Sequence, residues 1–170
     1  GDAAMLGISI EEQRGALEQD TEVLMHLLRS DDPITIETPR YKLVNAKSQY
    51  RPYSDFDIAV AAIASPTGPR IAGKHGIGII SIGSMSNEGL LALPTQWKFA
   101  EDAAKKHGQT VDRRNWRVLL SWHVAETREK AREEARVGLH RWHNEYIVGT
   151  LQRPGAEPWV YTPRHYGAGR

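Results

Sequence analysis

Ser65, Thr67 and Gly68 stand at the mouth of a short helix that follows directly on an apolar run. Two hydroxyls and the N–H groups of a first helical turn, which lack intrahelical partners, form a cradle for an anion, and the helix dipole favours negative charge there. Pro66 removes one donor from that turn, and Gly68 leaves space for an oxyanion to come close. On these residues alone the pattern also fits an ordinary capped helix start. A second rim follows at Ile82, Gly83, Ser84 and Met85, where another apolar run ends. Small Gly83 and Ser84 would leave room for a close approach there, while Ile82 and Met85 fit a strand-end core equally well.

Other chemistry-bearing residues carry blander readings. His123 ends an apolar run in SWHVAET, where a single histidine is more often packed and hydrogen-bonded than catalytic. His140 and His143 are three apart on a helix, a spacing that can share a metal, but only Glu145 accompanies them, so a solvated face and no metal site is expected. The charges from Glu126 to Arg136 read as an exposed helical face. No P-loop, Ser-His-Asp order or paired-carboxylate motif is present.

The elements that must position these residues alternate strand and helix. Asp57 to Ile63 is apolar without alternation, as in a parallel strand covered on both faces. Ser65 suits an N-cap and Pro66 the first helical position; Lys74, His75 and Gly76 read as a helix end with Gly76 at C′. Ile77 to Ile82 resumes the sheet, Asn87 to His107 is a helix in which Pro94 predicts a kink or a later start, and Val118 to Val124 is a third strand. Upstream, Ser9 and Glu12 form a capping box for a helix to about Leu28, and Ile34 to Val44 reads as a short hairpin. Glu126 to about Tyr146 is a long charged helix. The class is α/β with parallel strands, in one domain over residues 1–152, followed by a loose Pro-, Gly- and Arg-rich tail over 153–170.

Composition excludes several partners. The chain has 170 residues and a formal net charge of +1, which gives no electrostatic case for nucleic acid or an anionic membrane. No apolar run reaches the ~18 residues of a membrane span, and no signal peptide is visible. Cysteine is absent, which excludes disulfides, thiolate chemistry and Cys-based zinc sites and is compatible with a cytoplasmic location.

Four motifs then occur in a specific order: DAAMLGISIEEQR, VAAIASPTGPRIAGKHGIGIIS, HGQTVDRRNWR and HVAETREKAREEARVGLHRW. With them the chain from about Asp2 to Tyr146 resembles the bacterial-luciferase-like, flavin-dependent monooxygenases, and within these the limonene 1,2-monooxygenase-type branch. The resemblance implies an incomplete (β/α)8 barrel, roughly its fifth to seventh βα units, because a complete barrel takes about 250 residues. The first four strands of the family pattern, and a histidine-containing loop among them, have no counterpart here. It further implies that Ala64, Ser65, Thr67 and Gly68 bind the flavin phosphate and that Ile82, Ser84 and Met85 face the ring and the substrate. The implied cofactor is reduced FMN or FAD, with a deazaflavin as the alternative. A flavin reductase is the implied partner, and oxygenation of a small apolar substrate, limonene epoxidation in that branch, the implied reaction. No catalytic residue is assigned to this stretch, so the chain alone is expected to be inactive. A non-catalytic flavin-binding or structural remnant, and a half-barrel completed by a second chain, are the rival readings. Open edges at Ile58–Ile63 or Val118–Val124 are expected to self-associate.

Overall fold

The computed structural model describes residues 6–83, 87–152 and 155–158. They divide into two compact units, one within residues 11–120 and the other from the described residues beyond position 120 together with residues 6–10. The larger unit contains helix α1 (Ile10–Arg29), an antiparallel hairpin of β1 (Ile34–Glu37) and β2 (Lys42–Ala46), and then the alternating part. That part runs β3 (Ala59–Ala62), α2 (Thr67–His75), β4 (Gly78–Ile82), α3 (Asn87–Lys106) and, after a 3₁₀ turn at Arg113–Asn115, β5 (Trp116–Leu119). The expected α/β class with parallel strands is what forms: β3, β4 and β5 make a three-stranded parallel sheet in that order.

Register explains which side chains do what. Val60 lies opposite Ile79 and Ile79 opposite Trp116, while Ala62, Ser81 and Val118 form the next row. Because side chains alternate between faces, these rows point to one side of the sheet. There Val60, Ala62 and Ile79 join Ile71 and Ala72 of α2, Trp97 and Ala100 of α3, and Met25 of α1 in the core. Fully burying one such aliphatic side chain is worth about 1.5–3 kcal/mol. The opposite face carries Ala61, Ile80, Ile82, Arg117 and Leu119, and Ile80 and Leu119 remain 36% and 54% exposed. Burial on both faces, expected from the unbroken apolar run at β3, is therefore not found: its residues alternate between covered and uncovered. This second face is the more exposed one among the described residues.

The third strand also differs from expectation. It occupies Trp116–Leu119 instead of Val118–Val124. Asp112 caps the preceding turn by accepting from the Arg114 N–H at 2.9 Å, and Trp116 is drawn inward by stacking on Trp97 at 5.6 Å between ring centroids. Arg113 lies over both rings. At the other end β5 stops where its partner stops, with the Gly83 N–H donating to the Leu119 carbonyl. Apolar character beyond that point, at Leu120, Trp122 and Val124, is exposed and not paired in the sheet.

Two of the helices, α2 and α3, end as the glycines dictate. Gly76 adopts φ 62° and ψ 37°, and the Ile77 N–H reaches the Ala72 carbonyl at 2.9 Å, closing α2 in the left-handed cap read from the sequence. Gly108, at φ 65°, closes α3 in the same way, with the Gln109 N–H on the Ala104 carbonyl. Pro94 lies inside α3, which starts upstream of it, at Asn87. The hairpin is held to α1 by Asp20, which accepts from Arg40 at 2.6 Å and from the Tyr41 hydroxyl at 2.8 Å. That hydrogen bond to Asp20 is the main reason the Tyr41 phenol is held above its ordinary pKa.

In the second unit, α4 spans Arg128–Arg141 and passes into a wider π-helical stretch, Trp142–Thr150. The charged helix expected from Glu126 thus begins after a Thr127 cap, whose hydroxyl accepts from the Lys130 N–H at 3.1 Å. Lys130 with Glu126 and Arg141 with Glu145 form exposed ion pairs four residues apart. No helix among the described residues is long and apolar enough to cross a membrane.

Two expected outcomes follow from the packing of α2. A Cβ at Gly73 would lie 2.8 Å from Ala103 Cβ and 2.9 Å from Ala104 N, so α2 and α3 touch backbone to backbone there. Gly73→Ala should cost about 1–3 kcal/mol in denaturant unfolding, as overpacking does. His75 ends the same helix with Nε2 buried and unpartnered among the described residues. Burial first, then the Lys74 ammonium, lowers its pKa, against a partial opposing effect of Glu22; Arg29 and His107 add to the lowering. The folded chain therefore binds this proton less readily than the unfolded chain. Its stability is complete above the unfolded histidine value of ~6.5 and falls as pH drops below it. His75→Gln should flatten that acid-side loss in unfolding curves measured on both sides of this value.

Candidate functional site

The carboxyl end of β3 leads through Ile63, Ala64 and Ser65 into α2, so the turn is set by where the strand stops and the helix begins. Pro66 has helical angles, φ −71° and ψ −9°, and its carbonyl accepts from the Arg70 N–H at 3.0 Å. α2 is counted from Thr67, yet Ser65 still serves the helix start: its Oγ accepts from the Thr67 N–H at 3.2 Å and lies 2.9 Å from Thr67 Oγ1. Thus Ser65 Oγ and Thr67 Oγ1 come together, with Ala64 and Ser65 exposed and Thr67 half-buried.

Counting donors shows what this turn can offer an anion. Of the four positions 67–70, the Thr67 N–H is held by Ser65, position 69 is a second proline with no N–H, and Arg70 donates to Pro66. Gly68 N remains. One amide, two hydroxyls and the positive end of a nine-residue helix with no acidic residue in its first turn make the set. Gly68 has a packing reason of its own. A Cβ there would lie 2.9 Å from the Ala61 carbonyl oxygen and 3.2 Å from Ala62 Cβ, so only glycine lets α2 approach β3 this closely.

The second rim lies one strand over. Ile82 ends β4 half-buried, and Gly83 is buried where a Cβ would meet Leu90 at 3.1 Å and Leu120 at 3.2 Å. Ser84 and Met85, the other two residues assigned to this rim from sequence, lie outside the described residues. The described groups at both rims are aliphatic, glycine, proline or hydroxyl. None of these described groups carries a charge near neutrality, and they can bind and shape a ligand.

Behind the turn lies a polar arrangement that the motifs gave no hint of. Gln96 of α3 and Ser81 of β4 are 1% and 0% exposed. Gln96 Nε2 donates to the Ile63 carbonyl at 2.6 Å, the Ser81 hydroxyl donates to Gln96 Oε1, and the Trp116 indole N–H donates to Ser81 Oγ at 2.7 Å. The signal that could have revealed it is a glutamine on the stripe of α3 that also holds Ala100 and Ala104, both buried.

The histidines at positions 123, 140 and 143 belong to the second unit. His123 lies beyond β5, partly exposed, with Nε2 2.7 Å from Glu134 of α4; it is hydrogen-bonded, as expected, but neither packed in the core nor part of a strand. His143 Nε2 is 2.8 Å from the Glu157 carbonyl, and His140 Nε2 is 3.0 Å from Asn144. Among the described residues no group of three or more histidine or carboxylate side chains is placed to hold a metal.

No family model matches the chain. Two curated relatives do. Limonene 1,2-monooxygenase of Rhodococcus erythropolis is 43% identical over 138 residues, which is 81% of this chain and 35% of that protein. The 4-hydroxyprotoasukamycin monooxygenase of Streptomyces nodosus subsp. asukaensis is 38% identical over 155 residues, 88% of this chain and 42% of that protein. The chain thus spans little more than a third of the length of the first. In fold it is similar to the monooxygenase RslO1 from Streptomyces bottropensis, with a TM-score of 0.69 at 16% identity over 89% of this chain and 46% of the other. It is also similar to a deazaflavin-dependent secondary alcohol dehydrogenase bound to a cofactor–acetone adduct, with a TM-score of 0.58 at 20% identity over 92% and 44%. These two show the α/β fold, and the two sequence relatives show the kinship. The chain is a relative, over most of its own length, of the limonene 1,2-monooxygenase-type monooxygenases.

Proposed function

We propose that this chain is the flavin-phosphate-holding part of a flavin-dependent monooxygenase in which reduced flavin and O2 oxygenate a small apolar substrate. The observation that carries the reading is the Ser65–Thr67–Gly68 turn at a helix mouth, inside a stretch related to two monooxygenases. Ser65 Oγ, Thr67 Oγ1 and Gly68 N would hold the phosphate, and exposed Ala64 would leave the approach open. Bound flavin would supply the oxygen chemistry. The residues of this stretch would orient it, with Ile82, Ser84 and Met85 lining the substrate side and keeping water away from the ring.

FMN fits the reading directly, and FAD through its own phosphates; a deazaflavin is the second reading, favoured by the fold of the dehydrogenase. Limonene is the substrate suggested by one relative's name, whereas the other is named for a different compound, so a small apolar acceptor is the class proposed. Reduced flavin would come from a reductase in the cytoplasm. No catalytic residue is assigned to this stretch, and the chain by itself is expected to show no turnover.

The same reading treats the sheet as part of a (β/α)8 barrel. In a complete barrel the face bearing Ile80, Ile82 and Leu119 would point inward and be covered by side chains of other strands. The open edges of β3 and β5 fit the same arrangement. A solution of the chain alone should therefore contain species larger than a monomer in light scattering; a monodisperse monomer would count against the barrel reading.

The phosphate turn is tested by titrating FMN and riboflavin with fluorescence as the readout. Wild type should prefer FMN by about ten- to a hundredfold, the worth of ~1.5–3 kcal/mol for a charge-assisted contact. Thr67→Asp should remove most of that preference while leaving folding stability unchanged or slightly raised, since a carboxylate suits a helix N-terminus. Equal affinity for the two flavins in wild type would leave the turn as a helix cap and nothing more.

A further inference from the structure

The carbonyl of Ile63 is the last one before the Ala64–Gly68 turn, and no described residue of the sheet pairs it. The β3–β4 ladder ends with Ala62 opposite Ser81, and the next N–H along β4's end, that of Gly83, goes to Leu119 of β5. Gln96 takes the vacancy, with Nε2 at 2.6 Å from the Ile63 oxygen. Every direction in this run of hydrogen bonds is forced. The indole N–H of Trp116 can only donate and the Ile63 carbonyl can only accept, so Ser81 must pass its proton toward Gln96 Oε1, and the amide must face Ile63 with its nitrogen. Gln96 and Ser81, at 1% and 0% exposure, are closed to water, so neither can exchange its partner for solvent, whereas Ile63 at the outer end of the run is 40% exposed.

We propose that Gln96 is a positioning residue for the flavin-phosphate turn. By holding the Ile63 carbonyl it fixes the strand end from which Ser65 Oγ, Thr67 Oγ1 and Gly68 N are presented. The proposal rests on the phosphate reading above and adds to it a residue on α3 that would never touch the ligand. Two variants separate positioning from general stability. Gln96→Met keeps an unbranched side chain of similar length but removes the donor to Ile63. Trp116→Phe breaks the far end of the same run and leaves the Gln96–Ile63 bond in place.

Both are made in the full chain and titrated with FMN and riboflavin beside thermal unfolding. Gln96→Met should lose about tenfold in FMN affinity with riboflavin affinity changed less than about twofold, whereas Trp116→Phe should unfold earlier yet keep the wild-type FMN preference. If Gln96→Met does not fold, Gln96→Glu replaces it. In mildly acid solution the buried carboxyl keeps its proton, donates to Ile63 and should preserve the preference; once ionised at alkaline pH it cannot donate, and the preference should fall. Retention of the FMN preference by Gln96→Met, or by Gln96→Glu at both pH values, overturns the proposal, as does its equal loss in Gln96→Met and Trp116→Phe. A wild type without any FMN preference overturns the phosphate reading itself and the proposal with it, an outcome distinct from a preference that Gln96→Met retains.

Discussion

One buried run of hydrogen bonds, from the Trp116 indole through Ser81 and Gln96 to the Ile63 carbonyl, ties all three parallel strands to α3. The apolar core around Val60, Ile71, Ile79 and Trp97 supplies most of the driving force, but apolar contact is tolerant of small displacements. The polar run is not. A slip of one residue in β4 would turn Ser81 to the uncovered face and leave the indole N–H, the glutamine and a strand-end carbonyl without partners. Register, the angle at which α3 crosses the sheet and the exit of the chain from β3 thus depend on the same few donors and acceptors.

The turn at the start of α2 shows how few groups a helix mouth needs once its geometry is set. Two prolines and a self-capping serine leave a single backbone amide, so hydroxyl oxygens replace the nest of N–H groups that a glycine-rich loop would provide. Such a turn is stiff before any ligand arrives, since prolines at 66 and 69 restrict the backbone on both sides of Gly68. Gly68 itself lets the helix sit against Ala61 and Ala62, and the anion-facing role and the packing role fall on one residue.

What could be read from sequence was what depends on local chemistry. The apolar runs at β3 and β4, the hairpin at Ile34–Val44 and the glycine stop at Gly76 all appear close to where residue types put them. Features that depend on distant partners were less visible. Val118–Val124 reads as a strand from its apolar residues, but a strand extends only as far as its neighbour, and β4 ends at Ile82. The unbroken apolar run of β3 suggests two covered faces, whereas its residues alternate between more and less buried. Gln96 was hidden for a different reason: in a helix that also bears Lys98, Glu101 and Asp102, a glutamine reads as surface until the core partner of its amide is known.

Trp97 and Trp116, stacked at 5.6 Å with an interplanar angle of 21°, have an optical consequence. Two indoles held this closely in a fixed, chiral arrangement couple their electronic transitions and give a near-ultraviolet circular dichroism signal that freely rotating tryptophans lack. One ring belongs to α3 and the other opens β5, so the signal exists only while strand and helix are docked. The chain thereby carries a built-in, label-free spectroscopic reporter of tertiary order at the very seam where its buried hydrogen bonds begin.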